Sequence, residues 1–169
     1  ANSVWILIGS LIIKHSKNKL INRSYLINDS GNIVSKYDKI HMFDVTVSDT
    51  ERYHESKGYR PGDTAVLART PWGSMGLSIC YDLRFPALYR ILAQAGAVML
   101  VVPSAFSRPT GEAHWHTLLR ARVIETKCYT LAASHGGQPA SYPHLRAHET
   151  VLDPVCRLLL EKTNFCCNK

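Results

Sequence analysis

The sequence predicts a layered α/β domain with a partly antiparallel flank, and three observations carry that prediction. The first third is a series of short β-prone runs separated by turn signals, with no helical periodicity. From Met75 onward the pattern changes to strand, helix, strand, helix, strand. Val98–Val102 is almost wholly apolar, as expected of a strand buried on both faces. With 169 residues, 46% hydrophobic and 20% charged, the composition is that of one globular domain.

The elements follow in order. Val4–Ile13 reads as a strand, Lys14–Lys19 as a polar loop and Ser24–Ile27 as a second strand. Asp29-Ser30-Gly31-Asn32 is a turn signal, so Ile33-Val34 begins a third strand. Asp49–Gly62 reads as a long polar connection closed by Arg60-Pro61-Gly62-Asp63. Thr64–Arg69 is a short strand, Pro71–Ser74 a turn, and Met75–Ile79 the strand that leads into Cys80. Pro86–Ala95 is a helix, with proline in its first turn and Gly96 as its stop. After Val98–Val102, Pro103–Gly111 reads as a loop and Glu112–Lys127 as a helix with Thr110 as N-cap. Trp115, Leu118, Leu119 and Val123 share one face of that helix. Tyr129–Ala133 and Ala147–Leu152 complete the set as strands. There is no internal repeat and no low-complexity segment.

Composition narrows the function classes. No apolar run approaches the roughly 20 residues of a membrane span, and no signal-like segment opens the chain, so no membrane partner is expected. The chain starts directly in what reads as an interior strand, as a piece of something longer would. Five cysteines, including the adjacent Cys166-Cys167, form no disulfide framework, which fits a reducing, cytoplasmic setting. The net charge of +7 comes from scattered lysines and arginines. That pattern describes a solvated basic surface, not a nucleic-acid footprint, and it suits substrates that bear carboxylates.

Cys80 is the most informative residue. It ends an apolar strand and precedes a helix-like segment, the position at which open α/β sheets bind ligands. The N–H groups and dipole of a helix start there would favour thiolate over thiol. The competing reading is a small buried hydrophobe. Eight histidines invite a papain-like Cys/His pair, but Cys80 has none of the local sequence of those proteases. His114 and His116 are two apart on a helix and point to different sides, so they do not support a metal site, and no cofactor is expected. Lys39, in Tyr37-Asp38-Lys39-Ile40-His41-Met42-Phe43, lies just after a strand between apolar neighbours and is either a solvated lysine or a partner for the cysteine.

Together these segments resemble the nitrilase superfamily of carbon–nitrogen hydrolases. The resemblance is carried by Tyr37–Phe43, by Tyr53-His54-Glu55-Ser56-Lys57 with Pro61-Gly62-Asp63, by Gly76–Pro86, and by Pro103-Ser104-Ala105-Phe106 with Thr110–Trp115. Their order and separations agree, including 41 positions from Lys39 to Cys80 (80 minus 39). The resemblance implies a partial α-β-β-α sandwich, one incomplete domain over residues 1–169, with good agreement over 1–135 and divergence over 136–169. It implies Cys80 as the nucleophile on an amide or nitrile carbon, Lys39 as the cation that stabilises the tetrahedral oxyanion, and the Tyr81 N–H as a second oxyanion donor. Glu55 would orient the lysine, and Phe43, Arg84, Phe106 and Thr110 would contact the substrate. For Arg84, a structural ion pair with Asp82 or another acid is at least as good a reading as a contact with a substrate carboxylate.

The branch resembled comprises amidases acting on deaminated glutathione and on ω-amides, which implies a small amide substrate and, for the full-length family, homo-oligomers. Two features depart from the family. Its general-base glutamate matches no residue of this sequence, so impaired hydrolysis, or a non-catalytic remnant, is expected. Ala147-His148-Glu149 and Asp153-Pro154-Val155-Cys156 stand where relatives have Gly-His-Ser-like and Asp-Pro-Trp-Gly segments, and exposed sheet edges with a tendency to associate are expected as well.

Overall fold

The computed structural model describes residues 3–47, 49 and 51–134. The expected strand at Ala147–Leu152 and the divergent turn at Asp153–Cys156 lie outside the described residues.

Alternating apolar residues in the first third build a three-stranded antiparallel sheet, β1 (Ile6–Ser16), β2 (Lys19–Ile27) and β3 (Ile33–Asp38). The expected loop at Lys14–Lys19 is much shorter than the polar composition suggested. Lys14 pairs with Leu20 and Ser16 with Lys19, because polar side chains are acceptable on an exposed hairpin end. The Asp29–Asn32 turn forms as expected, with Gly31 at φ +81° and the Asn28 side chain accepting from the Ser30 and Asn32 N–H groups.

The long polar connection also carries structure. β4 (Asp44–Thr46) pairs with β5 (Arg52–His54), and α1 (Glu55–Gly58) follows at once. No periodicity marks elements this short, and tertiary contacts hold them: Lys19 Nζ donates to the Ser56 carbonyl at 2.8 Å, and the Ser56 N–H donates to Asp44 at 3.0 Å.

β6 (Val66–Thr70), β7 (Gly73–Leu77), β8 (Ala97–Val101) and β9 (Tyr129–Leu131) form a four-stranded sheet in that order, antiparallel between β6 and β7 and parallel thereafter. The parallel pairs require crossovers, supplied by α2 (Pro86–Gln94) and α3 (Arg108–Thr126). The third helix starts at Arg108, ahead of the expected Glu112, and its N-cap is Ser107, not Thr110. Thr110 lies inside the first turn, where its hydroxyl donates to the Ser107 carbonyl at 3.1 Å, and Pro109 is tolerated because first-turn amides have no helical acceptor. The Ser/Pro/Thr/Gly composition read as a loop is a helix start.

The strand period of two divides the core. Leu100 packs with Leu83, Leu88, Tyr89, Leu92, Trp115 and Leu119 beneath the helices. Its neighbour Val101 faces the other way, packing with Leu26, Tyr37, Met75, Leu77 and Ile79 against the first sheet. The layers run helix, sheet, sheet, and the α/β class expected from the sequence is the observed one. A large open cleft of about 580 Å³ between the sheets is lined by groups such as Trp5, Leu7, Trp72 and Met75, with no titratable side chain among the described lining residues. No helix among the described residues is long and apolar enough to cross a membrane.

Candidate functional site

Cys80 lies just beyond the C-terminal ends of the parallel strands β7 and β8, and its N–H donates to the Pro103 carbonyl at 2.9 Å. The chain turns there through a five-residue 3-10 segment, Cys80–Arg84, with Cys80 itself in the left-handed region at φ +50°. A non-glycine residue in that region carries strain and is held by its surroundings. The turn places the Tyr81 N–H in its first turn, where the segment itself supplies no acceptor.

Lys39 follows β3 directly. It is 3% exposed, its N–H donates to the Asn22 carbonyl, and its carbonyl accepts from the Gly62 N–H. A buried ammonium needs a counter-charge, and Glu55, first residue of α1, supplies it at 2.5 Å. The same Glu55 oxygen accepts from the Phe43 N–H at 2.6 Å. The polar connection that sequence patterning left unstructured therefore delivers the carboxylate.

The structure brings most of the expected site residues together. Phe43, Cys80, Tyr81, Phe106 and Thr110 line one narrow cleft, with Ala105 and Ser107. Ala105 and Ser107 escaped the sequence reading because they contribute only a backbone carbonyl and a helix cap. Arg84 sits at the rim, its guanidinium 5.9 Å from the Tyr81 ring and 5.8 Å from the Phe106 ring, and it donates to His114 Nδ1 at 3.2 Å. It makes no ion pair with Asp82, which is fully buried and saturated by other donors: the Tyr37 hydroxyl, the Ile79 N–H and His41.

The electrostatics correct one expectation. Burial pushes the Cys80 thiol above its ordinary range, and this outweighs the Lys39 ammonium and a contact with the Ala105 backbone, both of which act the other way; Glu55 and Asp82 push it further up. A short 3-10 turn has too few aligned peptides to act as a strong dipole, so the resting group is a thiol, donating to the Ala105 carbonyl at 3.6 Å. Among the described residues, no carboxylate hydrogen-bonds this sulfur and no group of three metal-capable side chains converges.

An ammonium paired with a carboxylate, beside a thiol at a strand end and next to an amide N–H, can hold a negatively charged oxygen on a carbon that the sulfur attacks. Comparison with known proteins bears on what such a site belongs to. The carbon–nitrogen hydrolase family model matches residues 1–157. The chain is 44% identical over 153 residues to the deaminated glutathione amidase of Yersinia enterocolitica, covering 89% of this chain and 54% of that protein. It is 35% identical over 158 residues to the omega-amidase NIT3 of Saccharomyces cerevisiae, covering 92% and 54% respectively. The crystal structure of the C. elegans NitFhit protein superposes with a TM-score of 0.77 at 38% identity, covering 84% of this chain and 35% of that one. That of S. cerevisiae Nit3, described as a member of branch 10 of the nitrilase superfamily, gives 0.73 at 31% identity, covering 84% and 49%. The chain spans about half the length of the curated relatives it matches.

Proposed function

This chain belongs to the carbon–nitrogen hydrolase family, and we propose that it carries the acyl-transfer half of an amidase site acting on small linear amides. In this reading Cys80 Sγ attacks the amide carbon, and the oxyanion is held by the Lys39 ammonium and the Tyr81 N–H. The proton of the Cys80 thiol passes to the amide nitrogen, the carbon–nitrogen bond breaks to release ammonia or an amine, and the acyl group is retained as a thioester on Cys80. Water then releases the carboxylic acid. Glu55 fixes the ammonium through the 2.5 Å ion pair, and Phe43, Phe106 and Thr110 shape the acyl pocket. The observation that carries the proposal is the buried Lys39–Glu55 pair acting electrostatically on a thiol within an apolar cleft.

Arg84, held over the cleft by two aromatic rings and unpaired with any carboxylate among the described residues, supports a substrate with a second, anionic end. The relatives named for deaminated glutathione and ω-amides point to the same substrate class. We place the protein in the cytoplasm because its five cysteines have no disulfide-framework spacing, and expect it to associate with further copies of itself.

A second reading is a non-catalytic remnant. It is favoured by the lack of any carboxylate hydrogen-bonded to Cys80 among the described residues. Intact-mass spectrometry after incubation with small amides separates the two. A Cys80 acyl adduct that is lost in Cys80→Ala supports the amidase reading. No adduct and no ammonia from any amide supports the remnant.

A further inference from the structure

Outside the Lys39–Glu55–Cys80 group, Asp82 is a carboxylate with 0% exposure. Its Oδ2 accepts from the Tyr37 hydroxyl at 2.7 Å and from the Ile79 N–H at 2.9 Å. Its Oδ1 accepts from the His41 N–H at 3.0 Å and from His41 Nδ1 at 2.7 Å, so that ring nitrogen carries the proton. Four donors fill the acceptor capacity of a carboxylate that no water reaches. Tyr37 is kept a phenol, and so a donor, by its own burial and by the neighbouring Asp82.

The positions of the donors are informative. Tyr37 and His41 lie two residues to either side of Lys39, while Ile79 and Asp82 bracket Cys80. One buried carboxylate therefore ties the backbone around Lys39 to the backbone around Cys80. The Ile79 N–H bond to Oδ2 and the Asp82 N–H bond to the Ile79 carbonyl, 3.1 Å, span Cys80 and hold its left-handed conformation. The His41 ring also stacks flat on Phe85, with centroids 3.6 Å apart and planes 9° from parallel, which fastens the Lys39 segment to the far end of the turn.

We infer that Asp82 and His41 are a positioning pair that sets the Lys39 ammonium against the Cys80 sulfur, so that the reactivity of Cys80 depends on His41 by way of Lys39. This rests on the proposed cooperation of Cys80 with Lys39, and the test separates the two. The charges that act on the thiol are Lys39, which favours thiolate, and Glu55 and Asp82, which oppose it. Loosening Lys39 therefore lowers reactivity.

The experiment is the pH profile of Cys80 alkylation by iodoacetamide, read by peptide mass spectrometry on the full chain. Its variants are His41→Ala, His41→Asn, Lys39→Met and the double variant His41→Ala/Lys39→Met. The expected result is a profile displaced to higher pH in His41→Ala, with the rate at pH 8 reduced about tenfold, one pKa unit. His41→Asn, whose amide N–H replaces Nδ1, restores most of the rate, and His41→Ala adds nothing once Lys39 is gone. An unchanged profile in His41→Ala, or an equal loss with and without Lys39, overturns the positioning role. No effect of Lys39→Met overturns the cooperation of Cys80 and Lys39 itself, and the inference with it. If His41→Ala fails to fold, His41→Phe keeps a ring to stack on Phe85 while removing the Nδ1 donor to Asp82, and an unchanged profile there overturns the inference.

Discussion

The Lys39 ammonium lies 2.5 Å from the Glu55 carboxylate, with side chains only 4% and 15% exposed. Removing one member of such a pair leaves a buried charge without compensation, whereas a neutral isostere keeps a hydrogen bond. Glu55→Ala is expected to lower stability by about 3–5 kcal/mol. Glu55→Gln should cost markedly less, because its amide oxygen still accepts from Lys39 and the Phe43 N–H. Urea unfolding midpoints of the two variants check the ordering.

The thiols predict how stability changes with pH. Burial raises both Cys80 and Cys128 above the ordinary thiol value. A group whose pKa is higher folded than unfolded holds its proton more tightly in the native state. Its contribution is complete below the unfolded value, about 8.5, and is lost as pH rises through the folded one. Stability should therefore decline above pH 8, and Cys128→Ala or Cys80→Ala should flatten the decline. Thermal midpoints between pH 7 and 9.5 measure it.

Gly62 bears on the site through the backbone. Its N–H donates to the Lys39 carbonyl at 2.8 Å, and a Cβ at this position would lie 2.3 Å from the Asp38 carbonyl oxygen. Any side chain must displace the Asp38–Lys39 backbone. Gly62→Ala is expected to cost about 1–3 kcal/mol and to slow Cys80 alkylation. A variant that is destabilised but alkylates at the wild-type rate would disconnect Gly62 from the site.

Much of this was legible in the sequence, for identifiable reasons. Cys80 was readable because an apolar strand ends on it, and the α2 boundaries because Pro86 and Gly96 punctuate them. Lys39 and Glu55 were not readable from pattern alone. Their partnership depends on α1, a single turn held by Lys19 and Asp44 from distant strands, and only the family resemblance indicated it. Asp82, one of the alternative partners open to Arg84, is taken by Tyr37, Ile79 and His41 instead, since sequence adjacency says nothing about which side of a 3-10 turn a carboxylate takes. The raised thiol is a similar case: desolvation comes from the assembled cleft, and no local motif encodes it.

Arg84 gives the sharpest test of substrate class. Its guanidinium lies 5.9 and 5.8 Å from the Tyr81 and Phe106 ring centroids and donates to His114, and no carboxylate among the described residues neutralises it. A charge-assisted hydrogen bond to a substrate carboxylate is worth about 1.5–3 kcal/mol, roughly 10- to 150-fold in rate. Arg84→Gln should therefore slow Cys80 acylation by an amide bearing a second carboxylate by that factor. The uncharged amide of the same length should change less than about threefold, since it gains nothing from the charge. Arg84→Lys should recover only part of the loss, because an ammonium keeps the charge but not the planar fork that grips a carboxylate through two parallel hydrogen bonds. Equal slowing of both substrates would make Arg84 a packing residue, and the anionic end of the substrate would have to be sought elsewhere.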